Sequence, residues 1–292
     1  MSRLQDMLEA GEFVVTGEIG PPKGIDTHEM AEEIEHLRGK VAAINVTDIQ
    51  SSVMRLGSLI VSEHLVREGL EPVYQMVCRD RNRLALQSDL LSAAWVGVEN
   101  VLALTGDHQY LGDHPDAKGV FDLDSVSLLH TITTLMGGKD LAGNDLEGAP
   151  KFFPGAVVTP CAEPLEPQII KFEKKAEAGA RYFQTQAVYD ARHLENLMKQ
   201  VEKFNVPVLA GIVLLKNAAM ARYMNSYVAG VFVPDDLIAE MASVKRKDAK
   251  KKSAEIAGKL IKQMKDLCQG IHLMPLGWTD TIDDVLGHAG LA

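Results

Sequence analysis

FPGAVVTPCAEPLEPQIIKFEKKAEAGARYFQTQAV, residues 153–188, reads as one strand–helix–strand unit. Its first segment, 153–159, is almost wholly apolar and ends at Thr159-Pro160. Its last, 181–188, is rich in aromatic and β-branched residues, and 167–178 between them reads as a helix. Strands that are apolar on both faces belong to parallel sheets covered on both sides. The same kind of run recurs at 13–19, 42–47, 72–78 and 100–105 before this unit, and at 207–214 and 270–276 after it. Helical patterns fill the gaps. The first, 28–37, has Thr27 as its expected cap. The others cover 57–68, 82–96, 125–136, 191–204, 218–228, 234–242 and 247–268. Strict alternation predicts a parallel α/β fold. Eight units predict a closed TIM-type (β/α)8 barrel with an outer helix ring rather than an open sheet. Residues 1–292 are therefore read as a single barrel domain.

Composition removes several function classes. The formal net charge of -10 argues against sequence-independent nucleic-acid binding, which needs a basic face. The longest apolar run, 206–215, is far short of the roughly 20 residues of a spanning helix, so no membrane role is expected. The first residues, MSRLQDMLEAGEF, have no apolar core of a secretory signal. Cys78, Cys161 and Cys268 are odd in number and widely separated, with no zinc or iron–sulfur spacing. A reduced, cytoplasmic protein without a metal site is the expectation. His108 and His114 with Asp107 and Asp113 could suggest a metal, but loop histidines six apart lack a fixed scaffold. Lys245–Lys252 (KRKDAKKK) reads as a solvated helix face, with docking of an acidic partner as its alternative.

In a barrel of this type, active sites form where strands end and loops begin. That rule selects Glu18, Thr47, Asp48, Gln75, Thr105, Gly106, Asp107, His108, Thr159, Gln184 and Gln186. A carboxylate inside FVVTGEIGPP, as Glu18 is, is costly to bury charged, which suits a general acid. A structural ion pair would explain it equally simply. Asp107 follows Gly106, so backbone can approach a ligand closely while a carboxylate faces it; capping a loop helix is its other reading. Tyr182, Gln184 and Gln186 share one strand face. Their amides either read a heterocycle or satisfy neighbours. The segment between the fourth and fifth strands is long, and long loops in compact domains are commonly functional or disordered.

GEIGPPKG, NVTD, ALTGDH, KFEKKAEAGA and YFQTQAVYD occur in that order, from about Leu4 to Leu286. Together they resemble the flavoprotein methylenetetrahydrofolate reductase family. The resemblance implies a β/α barrel that reduces 5,10-methylenetetrahydrofolate to 5-methyltetrahydrofolate. It places Glu18 as the acid that protonates N10 of the folate, and Asp107 between the flavin pyrimidine edge and the pterin. It gives Gln186 the task of hydrogen-bonding whichever partner stacks on the flavin. Thr47, Gln75, Thr105, Gly106 and Phe121 fall at flavin-contacting positions. Lys175 matches a lysine near the flavin phosphates, and Lys171 stands one helical turn away. The implied cofactor is FAD, or FMN, with NAD(P)H as electron donor. Because no GxGxxG fingerprint follows a strand, a nicotinamide would have to use the flavin site in turn.

The chain departs from the family pattern around the flavin. Gln75 stands where many members have histidine and Thr105 where they have arginine. Gln168 occupies an acidic position, and Ala218 replaces an aromatic residue. TGDHQ and HLMPLGW look more like reductases of anaerobic one-carbon pathways. That group implies a homo- or hetero-oligomer and a small iron–sulfur or zinc-binding partner subunit. An alternative expectation follows from the departures: a folate-binding subunit, poor in flavin, that depends on a partner for electrons.

Overall fold

The computed structural model describes residues 2–291. Eight parallel strands close in chain order into a barrel, β1 pairing with both β2 and β8. They are β1 (Val14–Ile19), β2 (Ala43–Val46), β3 (Pro72–Val77), β4 (Asn100–Leu104), β5 (Phe153–Val158), β6 (Tyr182–Ala187), β7 (Val208–Val213) and β8 (Gly270–Met274). Each falls inside the run anticipated for it, shorter by one or two residues, because ladder pairing covers less than the whole run.

Among the described residues, eleven α-helices accompany them. Before β1 comes α1 (Arg3–Glu9), and α2 (His28–Leu37), α3 (Ser58–Arg67), α4 (Arg83–Trp95) and α5 (Ser125–Met136) follow the first four strands. α6 (Glu166–Glu177) and α7 (Ala191–Val201) follow β5 and β6. Three helices separate β7 from β8: α8 (Ala218–Tyr227), α9 (Asp235–Ala242) and α10 (Ala249–Met264). The last is α11 (Ile282–Ala289). Among the described residues no helix is long and apolar enough to cross a membrane. The expected cap of α2 differs in detail. Thr27 makes no side-chain cap bond, and Asp26 Oδ1 instead accepts the His28 N–H at 3.1 Å.

Side chains alternate in and out along each strand, and this decides what fills the barrel. Its lower layer is apolar: Val14, Ala43, Val73, Leu102, Phe153, Tyr182 and Leu209 pack with Leu4 and Leu8 of α1. The Phe153 and Tyr182 rings stack at 5.1 Å. Gly155 is required there, because a Cβ would meet Tyr182 Cζ at 2.3 Å. Helix α1 thus stoppers the amino-terminal mouth. Glu71, just before β3, fixes it by accepting the Arg3 and Leu4 amides at 2.6 and 2.9 Å. One layer higher, the inward positions turn polar.

Candidate active site

A cavity of ≈ 530 Å³ opens at the carboxyl ends of the strands, within the usual span of about 300–1,000 Å³ for ligand pockets. Its floor is a buried polar layer. Glu18 (8 % exposed), Gln75 (8 %), Asn45 (0 %), Thr16 (0 %) and His272 (3 %) come from β1, β2, β3 and β8. Gln75 Nε2 donates to Glu18 Oε2 at 3.1 Å and to Asn45 Oδ1 at 3.4 Å. His272 Nε2 lies 3.4 Å from the same Glu18 oxygen. Among the described residues Glu18 Oε1 makes no hydrogen bond, and Glu18 lines the cavity.

One wall is held by ion pairs. Asp48 follows β2 and has a fully buried carboxylate, gripped by Arg81 at 2.7 and 3.2 Å. It also accepts the Val77 amide at 2.9 Å and the Ser58 hydroxyl at 3.1 Å. Arg81 reaches Asp89 of α4 as well, at 2.9 Å. Arg79, 1 % exposed, ties the loops together: it donates to Ser52 Oγ at 2.8 Å, the Asp107 carbonyl at 3.0 Å and the Ile49 carbonyl at 3.2 Å.

Those contacts anchor the long segment after β4. Ser52 Oγ also donates to the Asp107 and His108 carbonyls. Asp113 bonds Lys23 and accepts the Met54 amide at 3.0 Å. The Lys23 contact, with help from His114 and Met54, holds the Asp113 carboxyl well below the usual carboxylate range. Asp107 caps nothing; His108 caps the short turn Gln109–Leu111 instead. Gly106 has φ +92, and a Cβ there would sit 3.1 Å from Val77 Cβ and Arg79 Cβ. Glycine is thus required there by its backbone angle and by the close approach of β3, and Thr105, Gly106 and Asp107 line the cavity edge.

The opposite wall is cationic. Lys171 and Lys175 project from α6 into the cavity with Thr105, Ser125 and Thr159 around them. Lys175 is 6 % exposed and donates to the Val157 carbonyl at 2.6 Å. Burial, with Lys171 adding repulsion, pushes its pKa down to about 8. Gln184 Nε2 is buried in the wall with no hydrogen-bond partner among the described residues.

Of the residues singled out from sequence, Glu18, Gln75, Thr105, Gly106, Asp107, Lys171, Lys175 and Gln186 surround this one cavity. Gln186 is partly self-occupied, since its Oε1 accepts the Ala187 amide at 2.9 Å where the β6–β7 register shifts. Thr47 and Phe121 do not line the cavity. Thr47 is buried behind β2, its hydroxyl unpartnered among the described residues. Phe121 lies on the loop leaving the rim, stacked at 6.3 Å on His108. His272, Arg79 and Arg81 were not selected. His272 could have been, being the lone polar residue inside the strand GIHLM.

A family model for methylenetetrahydrofolate reductase matches residues 3–290. Among solved structures, the chain is similar to an uncharacterized protein from Clostridium thermocellum that binds two copies of 5-methyl-5,6,7,8-tetrahydrofolic acid. The two are 16% identical, over 99% of this chain and 98% of that one, with a TM-score of 0.65. Oxaloacetate acetylhydrolase (11% identity, 95% and 81% covered, TM-score 0.55) and 2,3-dimethylmalate lyase (10%, 98% and 84%, 0.53) share the barrel. At such identities the structural likeness concerns the fold, while the family match spans nearly the whole sequence. The chain belongs to the methylenetetrahydrofolate reductase family.

Proposed function

We propose that this protein reduces 5,10-methylenetetrahydrofolate to 5-methyltetrahydrofolate, with Glu18 as the general acid and a flavin as the immediate reductant. The observation that carries the reading is a buried carboxyl at the cavity floor with one oxygen bonded and the other open to the ligand space. Family membership supports a folate-related reductase. The relative that binds 5-methyltetrahydrofolate supports a folate as the occupant.

The side chains present fit a flavin. Gln184 offers an unpartnered amide N–H to a ring carbonyl, and the 105–107 backbone lines the same cavity. Lys171 and Lys175 supply charge for a phosphate, which FMN and FAD share. When bound, the flavin supplies a hydride for the methylene carbon. The protein's own residues do the rest. Glu18 Oε1 gives a proton to N10, opening the five-membered ring. Asp107, exposed at the rim, places negative charge near the cation that results. The amide of Gln186 orients the pterin, and a nicotinamide donor takes the same place before the folate arrives.

Phosphate binding by this wall should depend on pH. Lys175 carries its charge below about 8 and loses it above. FMN affinity should therefore fall as pH rises from 7 to 9, by roughly tenfold, the worth of one charge-assisted hydrogen bond. Calorimetric titration of the apoprotein measures this, and Lys175→Met should flatten the dependence. Equal affinity at both pH values in the wild type would refute the role.

The absorption spectrum of the purified protein tests the main proposal. A yellow protein whose visible band bleaches with a reductant and returns on adding methylenetetrahydrofolate is expected. A colourless protein that binds folate, active only after addition of a partner subunit, would replace this reading with that of a folate-binding subunit.

A further inference from the structure

The hydrogen bonds around His272 fix which nitrogen carries its proton. Nδ1 lies 3.0 Å from Thr16 Oγ1 and 3.5 Å from Asn45 Nδ2. The Asn45 amide cannot be turned over, because Nδ2 donates to the Gly17 carbonyl at 3.3 Å and Oδ1 accepts from Gln75 at 3.4 Å. An amide nitrogen only donates, so the atom it faces must offer a lone pair. Nδ1 is therefore bare and accepts the Thr16 hydroxyl proton. The ring proton sits on Nε2, 3.4 Å from Glu18 Oε2.

We propose that His272 is a positioning residue for Glu18: held as the Nε2–H tautomer by Thr16 and Asn45, it fixes Oε2 and leaves Oε1 as the oxygen carrying the transferable proton. This rests on reading Glu18 as the general acid. Gln75 Nε2 donates to Oε2, and the His272 Nε2–H lies 3.4 Å from the same oxygen, within the range of an electrostatic contact. A neutral carboxyl with those neighbours keeps its single proton on the other oxygen. Once the proton has left, the same N–H groups face a full carboxylate, where such contacts are strongest. They stabilise the conjugate base against the burial that disfavours it. Thr16 and Asn45 bring no charge to the ring, so Glu18 is the charged group it meets. Of the other charged groups at the cavity, Asp48 is paired with Arg81, Arg79 with Asp80, and Lys175 with the Val157 carbonyl. Asp107 and Lys171 line the same cavity.

Two measurements test this. Nitrogen NMR of histidine-labelled protein near neutral pH, assigned with His272→Gln, should show a bare Nδ1 and a protonated Nε2. The opposite tautomer or a doubly protonated ring overturns the proposal, independently of any activity. Kinetics of folate reduction form the second arm. His272→Leu should lower kcat roughly 10- to 100-fold, the worth of a hydrogen bond to a charged group, with KM nearly unchanged. Losing the donor destabilises the carboxylate, so the alkaline limb of the kcat profile should move to higher pH. His272→Gln, whose amide N–H can take the place of Nε2, should restore most of the rate. It also replaces the leucine variant should that fail to fold. If both His272 variants keep the wild-type rate and limb while Glu18→Gln is inactive, the inference fails and the acid assignment stands. If Glu18→Gln retains full turnover, both fall.

Discussion

Glu18→Gln should slow folate reduction by ~10²–10⁴-fold, the usual contribution of a positioned acid, while flavin reduction by the electron donor proceeds at its normal rate. The substitution keeps the volume of the side chain and an oxygen for the Gln75 amide to reach. It removes only the transferable proton. Rapid-mixing measurement of the two half-reactions separates the effects, since the donor's step needs no acid at this position. Equal losses in both halves would mean that Glu18 supports the cavity rather than protonating the folate. An unchanged folate step would remove it from the chemistry altogether.

Arg81→Met should destabilise the fold by about 3–5 kcal/mol, the range for breaking a buried pair from one side. Asp48 would be left with a wholly buried carboxylate, its Val77 and Ser58 contacts alone facing the charge. Asp89, whose carboxyl is already pushed upward by burial, loses its cation too. Against a typical total of about 5–15 kcal/mol, this is large enough to read by urea denaturation. Unpaired buried carboxylates have raised pKa values in the folded state, and the deficit they cause grows as pH rises through those values. The loss should accordingly be smaller at pH 5 than at pH 8. Adding Asp48→Asn should recover much of the stability, because the amide oxygen still accepts the Val77 N–H. A single variant as stable as the wild type would show that water, not protein, solvates Asp48.

The strands were readable because burial on both faces leaves short, nearly continuous apolar runs, as in VLAGIV, of the kind a covered parallel sheet produces. Helix α1 escaped notice for the opposite reason. RLQDMLE gives fewer than two turns and buries only Leu4 and Leu8, so its helical period hardly registers. α11, IDDVLGHA, is similarly short. At the cavity, Glu18 stood out as a charge inside an apolar strand. Arg79 and Arg81, in CRDRN, look like an ordinary solvated turn. That one becomes almost fully buried and the other clamps Asp48 depends on β2 and β3 being neighbours, a relation no local pattern contains. Thr47 and Phe121 missed the cavity because a residue just past a strand can face either way, and a loop can leave the rim within a few residues.

The plug that α1 forms beneath the barrel makes the site a blind-ended well. With the bottom shut, traffic runs through the single rim built by the segments that follow the strands. A molecule deep in the shaft cannot be overtaken from below by the next one. Two reactants that need the same depth must queue, the departure of one setting when the other can descend.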